Sequence, residues 1–225
     1  MHVGFIGLGH AGGALAGNLL ANGVTLSVHD LDAAAVASFV GNGAHAGGSP
    51  RAMAGRCDVM ITCLPSPAAS RAVLEGEDGI LAGIGPGKVW LEMSTTDAAE
   101  IGRLAALVEA RGANAVDCPV SGGVHRAATG NISIFAGCRR DVFERVLPVL
   151  RILGRNILHT GPVGTASTLK VMTNYLATAN LLTVCEALVT MKAAGMDLAT
   201  TYEAIRISSG TSFVHETESQ LILNG

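Results

Sequence analysis

Seven short apolar runs alternate with alanine-rich segments of helical length along this chain, and that alternation limits its fold more than any other feature. The runs are HVGFIG, VTLSVHD, DVMITCLP, KVWLEMS, ANAVDCPV, NISIFAG and NILHTG. They are nearly continuous in Val, Ile and Leu rather than alternating with polar residues, so each is expected to be buried on both faces of a mostly parallel sheet. The spacers are then the crossover helices of βαβ units. Helix punctuation agrees: Ser49-Pro50 opens one helix, Asp97 with Glu100 fits a capping box, and Gly112 closes the helix that begins near Asp97.

The first run is followed at once by GLGHAG, which places Gly7, Gly9 and Gly12 as G-x-G-x-x-G between a strand and a helix. A bare glycine triplet is a weak signal in a chain with 29 glycines. In this context it is the dinucleotide fingerprint. The first glycine permits the turn, the second lets backbone approach a pyrophosphate, and the third allows close helix–strand packing. Leu8, His10 and Ala11 belong to the same loop, and the helix start favours an anion. Asp30 closes the second run, about 20 residues on, where a carboxylate accepts hydrogen bonds from ribose hydroxyls. That favours NAD over NADP: at 4 Å and an effective dielectric near 20, like unit charges repel by ~4 kcal/mol, so a 2′-phosphate is penalised there. A competing role for Asp30 is to cap the next helix, which Asp32 could do instead.

The expected fold is therefore α/β, a Rossmann-type doubly wound sheet, over residues 1–162. Beyond Gly161-Pro162 no further strand is expected. Helices from Thr165 to Ala194 and from Ala199 to Ser208 begin an all-α substrate or dimerisation domain over residues 163–225, incomplete at Gly225. The long helix carries Lys170, Glu186 and Lys192 as its only charges, so it is expected to be buried between domains or subunits, making the protein a homo-oligomer.

Composition removes several classes of function. Charged residues are 15% of the chain, the net charge is −3 and no basic run is present, which argues against nucleic acid. Five cysteines without a C-x-x-C pair fit a reducing cytoplasm. The N-terminus lacks signal-peptide character, and the uncharged run from Val171 to Cys185 falls short of the ~20 residues of a membrane span. The histidines are scattered, so no metal site is expected.

Three further strings, LEMSTTDA, VDCPVSGG and GPVGTASTLKVMTNYL, join the glycine loop in an order that resembles the β-hydroxyacid dehydrogenase family, 3-hydroxyisobutyrate dehydrogenases and small-semialdehyde reductases above all. The family strings are G-L-G-x-M-G-x-x-M-A-x-N-L, D-A-P-V-S-G-G and G-x-G-x-x-x-K-x-x-x-N. The resemblance implies an NAD(P)-dependent oxidoreductase interconverting a small 3-hydroxy acid and its semialdehyde. Ser121, Gly122 and Gly123 would bind the substrate, Thr95 would lie on the nicotinamide side, and Leu64 and Pro65 complete the candidate cofactor contacts. A Ser-Gly-Gly turn also suits a carboxylate physically, through one hydroxyl and unobstructed N–H groups.

Lys170 and Asn174 stand one helical turn apart in apolar surroundings. Desolvation disfavours the ammonium, so Lys170 is the candidate acid/base and Asn174 its partner at the substrate oxygen. Ala11 replaces a frequent Met, Thr173 a frequent Asn, and Ala166, in place of the second glycine of G-x-G, is expected to narrow the approach to the nicotinamide. The absence of K-x-x-H-N-G argues against a 6-phosphogluconate dehydrogenase, and Lys170 argues against an imine reductase. An NADPH-preferring reductase of glyoxylate, tartronate or succinic semialdehyde remains an alternative, as does a dinucleotide-binding module without turnover.

Overall fold

A computed structural model describes residues 1–224. The strands are β1 (His2–Ile6), β2 (Thr25–His29), β3 (His45–Ala46), β4 (Val59–Thr62), β5 (Val89–Glu92), β6 (Asn114–Asp117), β7 (Val120–Ser121), β8 (Ile132–Gly137) and β9 (Gly154–Gly161). They form one sheet in the order β3-β2-β1-β4-β5-β6-β8-β7, with β9 beside β8. From β3 to β6 every pairing is parallel. β8 runs antiparallel to β6 and β7 and parallel to β9. The chain moves outward from β1 to β2 and β3, then returns to place β4 on the other side of β1. That reversal opens a crevice at the C-terminal ends of β1 and β4, the place where doubly wound sheets bind ligands.

The helices are α1 (His10–Ala21), α2 (Ala33–Gly41), α3 (Pro50–Arg56), α4 (Pro67–Glu75), α5 (Ala98–Glu109), α6 (Val124–Ala128), α7 (Arg140–Leu153), α8 (Thr165–Ala193), α9 (Leu198–Arg206) and α10 (Phe213–Asn224). The sheet has a core on each face, as continuous apolar strands require. Val3, Phe5, Val89 and Leu91 point into one cluster, while Ile6, Met60 and Trp90 point into the other. Trp90 is fully buried and its indole N–H donates to Thr62 Oγ1 at 2.9 Å. Side chains of this size contribute roughly 1.5–3 kcal/mol each on full burial.

Capping explains several boundaries. Asp32 caps α2 through Ala34 N–H (2.9 Å), Ser49 caps α3, and Asp97 caps α5 through Glu100 N–H (2.8 Å). The Glu100 carboxylate binds Arg71 and Arg103, with Asp97 making the capping bond. Gly112, φ 74°, follows α5 in the left-handed region where glycine is favoured.

The chain divides into two compact units, residues 1–170 and Val171 onward, so the first turn and a half of α8 belongs with the sheet. The short β3, β7 and α6 went unseen in the sequence because two-residue strands and a five-residue helix carry no measurable period, and the twelve-residue α10 was not expected either. The expected burial of α8 is not met within this chain: Val171, Met172, Tyr175, Leu176, Leu182 and Val189 are all more than half exposed. By length and composition α8 could also cross a membrane, which corrects the length argument based on the shorter run.

Candidate active site

At the end of β1 the glycines do three different things. Gly7 has φ 98°, and a Cβ there would collide with the Cys63 carbonyl oxygen at the end of β4. Gly12, inside α1, faces the Gly7 carbonyl so closely that no side chain fits. Gly9 is the reverse: a Cβ would meet nothing within 4 Å. It faces an open cleft of about 810 Å³ lined also by Gly7, His10, Ala11, Gly12, Asp30, Leu64 and Pro65. Gly9 caps α1 without a side-chain bond and the first turn holds no acidic residue, so its N–H groups suit a pyrophosphate. These residues fit a dinucleotide.

Asp30 is not the helix cap; Asp32 is. Its carboxylate accepts from Leu8 N–H (2.5 Å) and Asp32 N–H (2.9 Å), which ties the glycine loop to the end of β2. Leu8 contributes that N–H while its side chain packs into the core. The sequence did not identify the apolar wall of the same cleft: Leu31, Pro50, Ala69, Ala72 and Val73. Leu31, almost wholly exposed directly after Asp30, was the available signal.

The β5 end supplies a second support. Glu92, fully buried, accepts from Ser94 N–H at 2.8 Å, and Ser94 Oγ accepts from Leu64 N–H at 2.7 Å. Burial pushes the Glu92 carboxyl up, against the opposing pull of the Ser94, Ser70 and Thr62 hydroxyls. Thr95 is exposed on the loop between β5 and α5 and does not line the glycine-loop cleft.

At the end of β6 lies the remaining group. Ser121 sits in β7, followed by Gly122 (φ 129°) and Gly123 (φ 84°), both in conformations that favour glycine. Lys170 Nζ donates to Ser121 Oγ at 3.2 Å. Lys170 is only 8% exposed, and burial depresses its ammonium pKa below the ordinary lysine value. A partly desolvated amine beside a hydroxyl can exchange a proton with a bound oxygen. Asn174 is exposed on α8 within the second unit. Ala166 is fully buried, so its methyl is packed inside and does not obstruct a cleft. His125 is exposed just past Gly123.

Residues 2–161 match the family model for the NAD binding domain of 6-phosphogluconate dehydrogenase, and residues 164–225 the model for NAD-binding of NADP-dependent 3-hydroxyisobutyrate dehydrogenase. The chain is 35% identical to 2-(hydroxymethyl)glutarate dehydrogenase of Eubacterium barkeri, over 99% of this chain and 74% of that protein. It is 36% identical to the NAD-dependent L-serine dehydrogenase of Pseudomonas aeruginosa, over 95% of this chain and 72% of that one. Its fold superimposes on 3-hydroxyisobutyrate dehydrogenase from Salmonella typhimurium with a TM-score of 0.89 at 31% identity, covering 100% of this chain and 79% of the other. With both halves matched in order and the glycine loop shaped for a dinucleotide, the chain belongs to the β-hydroxyacid dehydrogenase family of NAD(P)-dependent oxidoreductases.

Proposed function

We propose that this chain interconverts a small 3-hydroxy acid and its semialdehyde, with Lys170 as the general acid/base. The observation that carries the reading is Lys170 itself, nearly buried, depressed in pKa and 3.2 Å from Ser121 Oγ. The nicotinamide cofactor supplies or accepts the hydride. As the carbon is oxidised, neutral Lys170 takes the hydroxyl proton; in reduction its ammonium returns it. Ser121 and the Gly122 and Gly123 N–H groups hold the carboxylate, Asn174 steadies the reacting oxygen, and Thr95 borders the nicotinamide. Gly7 to Gly12, Leu64 and Pro65 hold the rest of the dinucleotide. Asp30 favours NAD through the ribose hydroxyls.

The relatives' substrates narrow the class. Serine, 3-hydroxyisobutyrate and 2-(hydroxymethyl)glutarate each place a hydroxymethyl group on the carbon that bears the carboxylate. Residues 1–162 form the dinucleotide domain in this reading and residues 163–225 belong to the substrate and subunit-contact domain. The exposed apolar residues of α8 support a homo-oligomer, and a monomeric mass by light scattering would count against it. The same reading takes α8 as a subunit-contact helix, since it lies in the segment matched by the dehydrogenase model. Five free cysteines support a cytoplasmic location.

The test is reduced-nicotinamide absorbance with NAD or NADP and a panel of 3-hydroxyisobutyrate, L-serine, 2-(hydroxymethyl)glutarate, glycerate and 4-hydroxybutyrate. Turnover on the first three and on glycerate, which shares their hydroxymethyl group, is expected, with none on 4-hydroxybutyrate and loss of all of it in Lys170→Ala. Cofactor binding with silence across the panel would replace the reading with a non-catalytic dinucleotide module.

A further inference from the structure

Asp117, the last residue of β6, is fully buried and belongs to none of the roles above. Its carboxylate faces the start of α8. Oδ2 accepts from Gly164 N–H at 3.0 Å and from Ser167 N–H at 2.9 Å, and Oδ1 accepts from Ser167 Oγ at 2.6 Å. The first backbone N–H groups of a helix have no intrahelical partner, and local side chains usually satisfy them. Here the cap comes from a strand 47 to 50 residues earlier.

The spacing gives this cap its second effect. Ser121 follows Asp117 by four residues, and Lys170 follows Ser167 by three, so Ser167 and Lys170 share a face of α8. Ser121 is held independently, because β7 pairs with β8 at Val120–Ile134 and Ser121–Ser133. The start of α8 is also pressed against β8: a Cβ at Gly137 would come within 2.7 Å of the Pro162 carbonyl oxygen and 3.1 Å of Thr165 Oγ1. Strand and helix therefore meet at two levels, Asp117 with Ser167 below and Ser121 with Lys170 above.

We propose that Asp117 is a positioning residue for Lys170: by tying the first turn of α8 to the end of β6, it fixes the height and rotation at which the lysine reaches Ser121. The two backbone N–H partners can only donate and need an acceptor here, while the Ser167 hydroxyl can donate or accept. Asparagine could keep all three contacts, accepting from both N–H groups and donating its NH₂ to the Ser167 hydroxyl, whereas alanine takes the acceptor away from the first turn of α8. Removing the Ser167 hydroxyl deletes one bond and leaves the helix otherwise capped. The catalytic value of this clamp rests on the acid/base reading of Lys170; the positional claim does not.

Asp117→Ala and Ser167→Ala in the full chain test it, beside wild type and Lys170→Ala. The chain has three lysines, Lys88, Lys170 and Lys192, so reductive methylation with isotope-labelled formaldehyde gives few NMR resonances, and Lys170→Ala identifies the one that matters. In both clamp variants the Lys170 titration midpoint is expected to move towards the ordinary lysine value. The kcat should fall about 10- to 100-fold at an unchanged cofactor dissociation constant, the scale of loss from a misplacement near 1 Å. A Lys170 titration identical to wild type in folded Ser167→Ala would overturn the proposal, even if Asp117→Ala does not fold. Wild-type turnover in Lys170→Ala would sink the acid/base reading separately, while the NMR midpoint would still report whether the clamp positions the lysine.

Discussion

At the end of β1 the chain makes a site by leaving side chains out, and at the end of β6 it makes one by burying ionisable side chains. Gly7 and Gly12 hold the glycine loop together because their missing Cβ atoms allow backbone to touch backbone. Asp117 and Lys170 are buried ionisable groups held by side-chain hydrogen bonds to Ser167 and Ser121. The two ends thus answer to different perturbations. Added volume should damage the first at any pH, whereas loss of a charge or a change of pH should act mainly on the second.

The sharpest separation comes from Lys170→Met. Removing a general acid/base costs typically 10²–10⁴-fold, so kcat should fall by about that factor while cofactor affinity, measured by fluorescence titration, stays at the wild-type value. Stability should not fall with it. Because the folded pKa of Lys170 lies below its ordinary value, the stability it contributes is present above that ordinary value and lost as pH falls through the folded one. At neutral pH the ammonium therefore opposes folding, and a melting temperature at or above wild type is expected. A large drop in melting temperature would mean that Lys170 is chiefly a structural contact.

Gly12→Val addresses the other end. Its side chain would drive into the Gly7 carbonyl, so cofactor binding should weaken at least tenfold and stability should fall by roughly 1–3 kcal/mol, equally at pH 6 and pH 9. A pH-dependent loss would show that the glycine end also relies on a titrating group. Asp30→Ser should have a smaller effect. It loses the bonds to Leu8 and Asp32 N–H and removes a negative charge, so the NAD-to-NADP preference in kcat/KM should drop about tenfold. An unchanged ratio would remove Asp30 from cofactor choice and leave it only the loop-bracing role.

The same contrast explains what the sequence disclosed. The glycine loop was legible because its meaning is local: three residues within one turn, between one strand and one helix. The two-sided burial of the parallel strands was legible for a similar reason, as each run carries its own pattern. Lys170 stood out as a lone cation in an apolar stretch. The clamp at Asp117 was not legible, because its partners lie 47 and 50 residues away and no local spacing announces them. Nor was the burial of Ala166, which depends on the helix start being drawn against β8. The exposed apolar face of α8 shows the opposite failure. Composition implied burial, but within this chain those residues stay more than half exposed.

Glu92 is where the contrast between the ends is most open to challenge, and it carries the smallest expected effect. It is a fully buried carboxyl, yet through Ser94 it supports Leu64, which lines the cofactor cleft. Burial raises its folded pKa above the ordinary glutamate value of 4.5. Its stabilising contribution is therefore complete below that value and is lost as pH rises through the folded pKa. Glutamine keeps the shape and the acceptor for Ser94 N–H without the ionisation. Glu92→Gln should match wild type near pH 4, exceed its melting temperature by roughly 2–4 °C at alkaline pH, and leave the cofactor dissociation constant unchanged. If instead the variant melts lower at every pH and binds cofactor poorly, the ionised carboxylate is the form that supports Leu64. The cofactor end would then depend on buried charge as well, and the division between an end built from absent side chains and an end built from ionisable ones would have to be drawn at β5.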